Sequence, residues 1–430
     1  MTQRIRSSRR QLIQGAAAAG LAATLPFRAA RAQAPALKIG VILPRSGYLA
    51  PAGQSCQRGV DIAPQVLSDL GHRVEIVSVD FESNVDLART QAEKLIADGA
   101  QVLVGAFDSG GTSAIAQVCE QKAVPLVINV AAAPQITEQG FKYVFRNFPT
   151  SVMLVRNGLS LMKEMFKATN VTPKSGIFIH ANDTFGQANR GAIDRLFPTL
   201  DMPFKLVDAI AYDPKAQDLS VEVAKCKASG ADFVIVTTRA GDAIRLIREM
   251  VKQRYEPKGI VSPGSPGMYD QEFYDGLGGY SDYTITNLPW PNFNAPITKR
   301  LGDAFAKRFP QGRFGVDAFN VGFTFEALLV AADAAKRAGS RDSRAIAEAL
   351  RSTDIADHVM TGGTITFDAK GQNNNIGSAT VQNLKKTPTV VLPKEAATAK
   401  PVFPMPGWRG RSATDRAAPA TLSCRPLRLS

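Results

Sequence analysis

Asp108, Ser109, Thr112 and Ser113 are crowded into one glycine-containing turn, FDSGGTSA. Hydroxyls and free backbone N–H groups at such a turn can hold a carboxylate or another acceptor. A lone cation, Arg239, stands in a comparable turn, Thr237-Thr238-Arg239-Ala240-Gly241. Its planar fork suits carboxylates. The remaining candidates are Ser46, Tyr48, Ala131, Ala132, Asn182, Phe185, Gly264 and Ser265, each at the end of an apolar run. This chemistry is binding rather than turnover. The three histidines, His72, His180 and His358, stand in unrelated contexts, none beside a candidate serine. G-x-S-x-G and G-x-G-x-x-G are both absent. The four cysteines, Cys56, Cys119, Cys226 and Cys424, show no metal spacing; Cys119 and Cys226 fit core thiols on helices. No catalytic residue, metal or cofactor is expected.

These residues need strands and helices to position them. Val102–Gly105 is a continuous apolar run, as a strand covered on both faces requires. The glycine turn follows, then a helix that Thr112 or Ser113 is expected to cap, then a second strand through Val124–Ile128. The pattern returns: Lys94–Ala100 before the first strand matches Lys225–Ala231 before Phe233–Val236, 131 residues later. Two similar α/β lobes facing one another imply a cleft, with ligand beyond the carboxyl ends of the strands. Other strands are expected at Leu37–Leu43, Val74–Val79, Ser175–Ile179, Lys205–Ile210, Gly259–Ser262 and Thr364–Phe367. Helices are expected at 54–70, 86–97, 152–168, 242–253, 297–308 and 315–337, the last with Phe319, Phe323 and Phe325 in the core.

The formal charge of +13 comes mostly from the two ends. Met1–Ala32 carries six arginines and no acid, a short apolar run from Gly15 to Phe27, and Ala30-Arg31-Ala32. That is an export leader with a cleavage site after Ala32, and Ser8–Ile13 fits a twin-arginine motif. The stretch 409–430 carries five arginines and one aspartate without periodicity, and reads as a disordered tail. The remainder is close to neutral, so no nucleic-acid partner is implied.

The chain resembles periplasmic solute-binding proteins of the leucine/isoleucine/valine-binding family of ABC importers. The motifs that carry this are Ile39–Gly47, Val104-Gly105 with its turn, Val124–Val127, Pro134–Arg146, Asn182–Gly186, Gly362–Gly371 and Ala399–Pro404. The resemblance implies an α/β, type I periplasmic binding protein fold, two Rossmann-like lobes joined by a three-strand hinge. Lobe one is then 37–149 plus 288–362 and lobe two 150–287 plus 363–392. The crossings fall near Phe148–Ser151, Thr286–Pro289 and Gly362–Thr364, and 393–408 packs on the lobes. It further implies a monomer in the periplasm that captures a small solute and delivers it to an inner-membrane permease; a ligand sensor without transport is the alternative. Six loops should wall the cleft: Ser46–Tyr48, Asp108–Ser113, Asn129–Ala133, Asn182–Phe185, Thr237–Arg239 and Gly264–Ser265. In such proteins hydroxyls hold an α-carboxylate, and Ser109, Thr112 and Ser113 can supply them. This chain departs from the pattern where Ala132 replaces a threonine, Phe185 a tyrosine, and Gly264 an acid that holds the α-ammonium. With Arg239 added, these departures favour a carboxylate-bearing or neutral amide ligand, without excluding amino acids.

Overall fold

Apolar runs lie at the centre of both sheets in the computed structural model, which describes residues 35–411. The leader, its cleavage site, Cys424 and 412–430 lie outside the described residues. The first sheet takes β1 (Leu37–Leu43), β2 (Val74–Asp80), β3 (Val102–Gly105), β4 (Leu126–Ile128) and β5 (Val144–Arg146) in the order β2-β1-β3-β4-β5, all parallel. Helices α1 (Ala50–Asp69), α2 (Val85–Ala97), α3 (Ser109–Lys122) and the short α4 (Gln135–Glu138) connect them. β3 and β4 are buried at every residue, as their unbroken apolar sequence requires.

The chain then enters the second lobe through α5 (Ser151–Thr169). There β6 (Ser175–Ala181), α6 (Thr184–Leu196), β7 (Lys205–Tyr212), α7 (Ser220–Ala228), β8 (Phe233–Thr237), α8 (Ala240–Lys252), β9 (Ile260–Ser262), α9 (Gln271–Leu277) and β10 (Ile285–Leu288) follow. The order β7-β6-β8-β9-β10 repeats that of the first sheet. After β10 the chain returns to the first lobe with α10 (Pro296–Arg308), α11 (Phe314–Ala338) and α12 (Ser343–Arg351). It ends in the second sheet with β11 (Ala379–Asn383) and β12 (Pro388–Leu392), which are antiparallel additions beyond β10.

Helix α11 is apolar nearly all round because it is buried nearly all round, between α1, α12 and the first sheet. Phe319 and Phe323 pack edge-to-face on Phe148 at 5.9 and 4.9 Å. Cys56, Cys119 and Cys226 are buried free thiols.

The expected strand Thr364–Phe367 does not form; Ile365 makes only an isolated bridge to Ile355. Its polar neighbours turn instead on Asp368, whose Oδ1 accepts from the Lys370 and Gln372 amides, each at 2.9 Å. Gln372 then runs parallel to Arg146 at the edge of the first sheet. The third passage between lobes therefore lies after Asn373, not at Gly362–Thr364. The fully buried Arg146 fixes this junction: Nε donates to Gln372 Oε1 at 2.6 Å, Nη1 to Ala133 O at 2.7 Å and Nη2 to Thr137 Oγ1 at 2.5 Å. Burial pushes its pKa down to about 9.

At the C-terminal end, Trp408 donates its indole N–H to Tyr255 O at 2.8 Å. Arg411, expected in the disordered tail, is instead anchored. It donates to the carbonyls of Gly279, Pro406, Tyr280 and Asp282, with its guanidinium 4.7 Å from the Trp408 ring.

Candidate functional site

In both sheets the strand order reverses beside the first strand of the lobe, between β1 and β3 and between β6 and β8. Loops leaving such switch points diverge and open a crevice. The two crevices face each other. From the first lobe come Tyr48, Phe107, Ser109, Val130 and Ala132; from the second come Phe185, Arg239, Gly264, Pro266 and Asp270. They line two adjoining narrow, part-open clefts, about 260 and 250 Å³ of empty space counting the solvent at their mouths, which share Phe107, Arg239 and Pro266.

Arg239 is the central charge. It stands 131 residues after Asp108, the offset of the internal repeat, and both are the residue preceding their helix. Asp108 caps α3: Oδ2 accepts from the Gly111 amide at 2.9 Å. A guanidinium has no acceptor with which to cap α8. Asp242, one turn in, accepts from the Arg239 amide at 2.6 Å instead and takes the Tyr212 hydroxyl at 2.6 Å. The Arg239 side chain is thereby free of local duty. It is 7% exposed, donates from Nη2 to Asp183 Oδ2 at 3.1 Å, and lies 4.6 Å over the Phe185 ring. Burial alone would lower its pKa, but Asp183 and Asp242 outweigh burial and hold it above the ordinary value. Its Nη1 is buried with no hydrogen-bond partner.

Across the cleft, Asp108 is pushed up to about 6, chiefly by burial, with its Oδ1 unpaired. Burial likewise raises the Tyr48 hydroxyl to about 12, and Lys215 of the second lobe sits 5.3 Å over its ring. The apolar wall is aromatic: Phe107, Phe148 and Phe185 line the first cavity with Val130 and Pro266.

The expected site residues divide. Tyr48, Ser109, Ala132, Phe185, Arg239 and Gly264 line the cavities, and Asp108 lies beside them. Ser109 Oγ accepts from the Ala133 amide at 3.2 Å, which leaves its proton for a ligand. Thr112 is a structural residue: its hydroxyl donates to Asp108 O at 2.6 Å and accepts from the Ala106 amide at 3.1 Å. Ser113 bonds back to Ser109 O at 2.8 Å. Neither caps the helix, because the Asp108 carboxylate reaches the orphan amide first. Ser46 ties its loop to the one after β2, its carbonyl accepting from Ser83 Oγ at 2.7 Å. Ala131 is core; its carbonyl accepts from Arg146 at 3.3 Å. Asn182 is exposed and bonds to Gln187. Ser265 holds the neighbouring turn by accepting the Thr238 amide at 3.0 Å.

Gly264 has φ 109, and a Cβ there would meet Leu154 at 2.8 Å. An acidic side chain has no room at this position, so the departure from an acid expected at Gly264 has a backbone cause. Phe107, Phe148, Pro266 and Asp270 were not legible as site residues. Phe107 continues an apolar run in sequence, yet adopts φ 81 and turns its ring into the cleft, held by its amide on Asn129 Oδ1 at 3.1 Å. A left-handed backbone at a bulky residue costs roughly 1–3 kcal/mol and clusters at ligand clamps.

The comparisons agree with this geometry. A family model described as "Periplasmic binding protein" matches residues 36–387. Leu/Ile/Val-binding protein homolog 7 of Brucella abortus is 25% identical over 385 residues, covering 85% of this chain and 93% of its own. Homolog 8 of the same organism is 26% identical over 414 residues, covering 92% and 98%. Among solved structures, the leucine-binding protein LivK of Thermotoga maritima superposes with a TM-score of 0.71 at 21% identity, covering 82% of this chain and 97% of its own. LivJ of Streptococcus pneumoniae, in complex with isoleucine, gives 0.71 at 18%, covering 86% and 100%. The fold is the type I periplasmic binding protein fold. With two lobes facing one another across a cleft and the family model spanning nearly all of the described chain, the protein belongs to the periplasmic binding protein family, whose members bind solutes rather than transform them.

Proposed function

We propose that this protein is the solute-binding component of an ABC importer of the branched-chain amino acid type. It acts as a monomer, exported and cleaved after Ala32, and hands a small carboxylate-bearing solute to an inner-membrane permease. The names of its relatives support the transport class. One observation carries the ligand class: Arg239 is buried in the cleft with Nη1 unpaired. A buried guanidinium donor without an acceptor costs about 1–3 kcal/mol, which a ligand carboxylate removes. Ser109 offers a second donor, and the Phe107–Phe148–Phe185 wall fits an apolar or aromatic body.

A thermal-shift screen on the mature protein tests this. Leucine, isoleucine and valine should be compared with benzoate, hexanoate and small amides. A ligand at a hundredfold excess over its Kd stabilises by about 2.7 kcal/mol. The expected result is a shift with carboxylates that is lost in Arg239→Ala. Shifts with amides or branched-chain amino acids that survive Arg239→Ala would remove the carboxylate assignment.

A further inference from the structure

Among the described residues, four aspartates stand immediately before helices and can be compared directly. Asp108 accepts from the Gly111 amide at 2.9 Å, Asp183 from Gly186 at 2.7 Å, and Asp342 from Arg344 and Ala345, both at 3.0 Å. Asp270, before α9, makes no such bond. Among the described residues its carboxylate accepts no hydrogen bond at all, although the residue is only 8% exposed. It lines the second cavity with Tyr48, Pro51 and Arg239.

The nearby cation is already engaged. Arg58 Nη1 lies 2.6 and 2.7 Å from the two oxygens of Asp317, which also accepts from Ser55 at 2.7 Å. Asp270 thus faces a first-lobe carboxylate rather than a donor. Burial raises its pKa to about 7, Asp317 and Glu272 add to this, and Arg58 opposes it. Tyr269, Tyr274 and Cys56 are its other titratable neighbours, all with pKa values pushed up by burial. Asp270 neither caps nor pairs, and its carboxylate opens on the cavity, where water or a ligand supplies its partner.

We propose that Asp270 is the second recognition residue of the cleft, taking the ammonium end of a ligand whose carboxylate is held by Arg239. This rests on the carboxylate reading above. The two groups have opposite charge, Arg239 keeps one nitrogen, Nη1, without an acceptor, Asp270 accepts no hydrogen bond, and both line one cavity. The ligand class is therefore an amino acid whose amine is separated from its carboxylate by an apolar spacer. The amine position emptied at Gly264 is supplied from the α9 end of the same loop.

Calorimetry on the mature protein with two matched pairs tests this: 5-aminovalerate against hexanoate, and 4-(aminomethyl)benzoate against 4-ethylbenzoate. In the wild type, the amino member of at least one pair is expected to bind tenfold or more tightly than its alkyl partner, about 1.4 kcal/mol. In Asp270→Asn the preference is expected to collapse. The wild-type preference should also fall as pH is lowered from 8 to 6, because the ionised carboxylate is lost through its pKa near 7. This pH profile needs no variant. A preference that survives Asp270→Asn, or wild-type binding that favours the alkyl members, overturns the role of Asp270 but leaves the carboxylate reading standing. Heat from none of the four probes, or binding unaffected by Arg239→Ala, overturns the carboxylate reading and this inference with it.

Discussion

Asp183 does two jobs for Arg239 and α6. It accepts the guanidinium at 3.1 Å and caps its helix through Gly186 at 2.7 Å. Removing one partner of a buried pair costs about 3–5 kcal/mol because the other charge is stranded. Asp183→Ala is therefore expected to lower stability by at least 3 kcal/mol in urea unfolding, and Asp183→Asn by less, since an amide oxygen still caps. Arg239→Ala in the same background should recover part of the loss. At this scale the sequence was informative where a side chain departs from its local duty. Arg239 stood out as a lone cation in a strand-end turn, and Phe185 as a ring in a strand-end loop where related proteins carry tyrosine. Thr112, Ser113 and Ser265 look equally polar in sequence, but their hydroxyls are spent on nearby backbone. Nothing in the sequence marked Asp270; only the folded chain shows that it makes no cap and lines the cleft.

First-lobe segments beside the lobe junction meet at Glu326 of α11. Its Oε1 accepts the Val359 and Met360 amides at 2.7 Å and lies 3.1 Å from His358 Nδ1; its Oε2 accepts from Asn147 at 2.7 Å. Burial lowers the His358 pKa, but the Glu326 contact and the Gly363 carbonyl outweigh burial and raise it overall. A raised imidazole pKa stabilises the fold most fully below its unfolded value near 6.5, and that contribution is lost as pH rises through the folded value. Melting temperature is therefore expected to decline across the window just above pH 6.5, with the decline reduced in His358→Gln. Arg411→Ala should lower stability by about 1–2 kcal/mol, since its carbonyl contacts and stacking tie the chain end to Tyr280 and Asp282. Element boundaries were legible from periodicity to within a few residues, as in β1 and α11. The third passage was not, because Gln372 is placed by a buried arginine 226 residues away in sequence.

The lobes of the whole molecule are also latched by contacts that do not line the cleft cavities. Arg313, entering α11 in the first lobe, donates to Lys386 O at 2.9 Å and Thr387 Oγ1 at 3.3 Å in the second, and lies 5.5 Å over Tyr274. Charge-assisted bonds of this kind contribute about 1.5–3 kcal/mol. Arg313→Ala is expected to shift the ligand-free molecule toward an open form, seen as a larger radius of gyration in small-angle scattering, and to weaken binding about tenfold or more. The two-lobe plan was legible because the repeat is written twice at one offset. The closure contacts were not, since no periodicity marks them. One of them has an optical consequence. The protein has two tryptophans. Trp408 keeps its neighbours Tyr255, Tyr280 and Arg411 within one lobe. Trp290 sits at the second passage, where Tyr269 from the cleft loop meets it edge-on, ring centroids 5.2 Å apart at 89°. Opening the lobes withdraws that ring from one indole and leaves the other untouched, so the emission of a Trp408→Phe protein would follow the swing of the lobes in real time, with no dye attached.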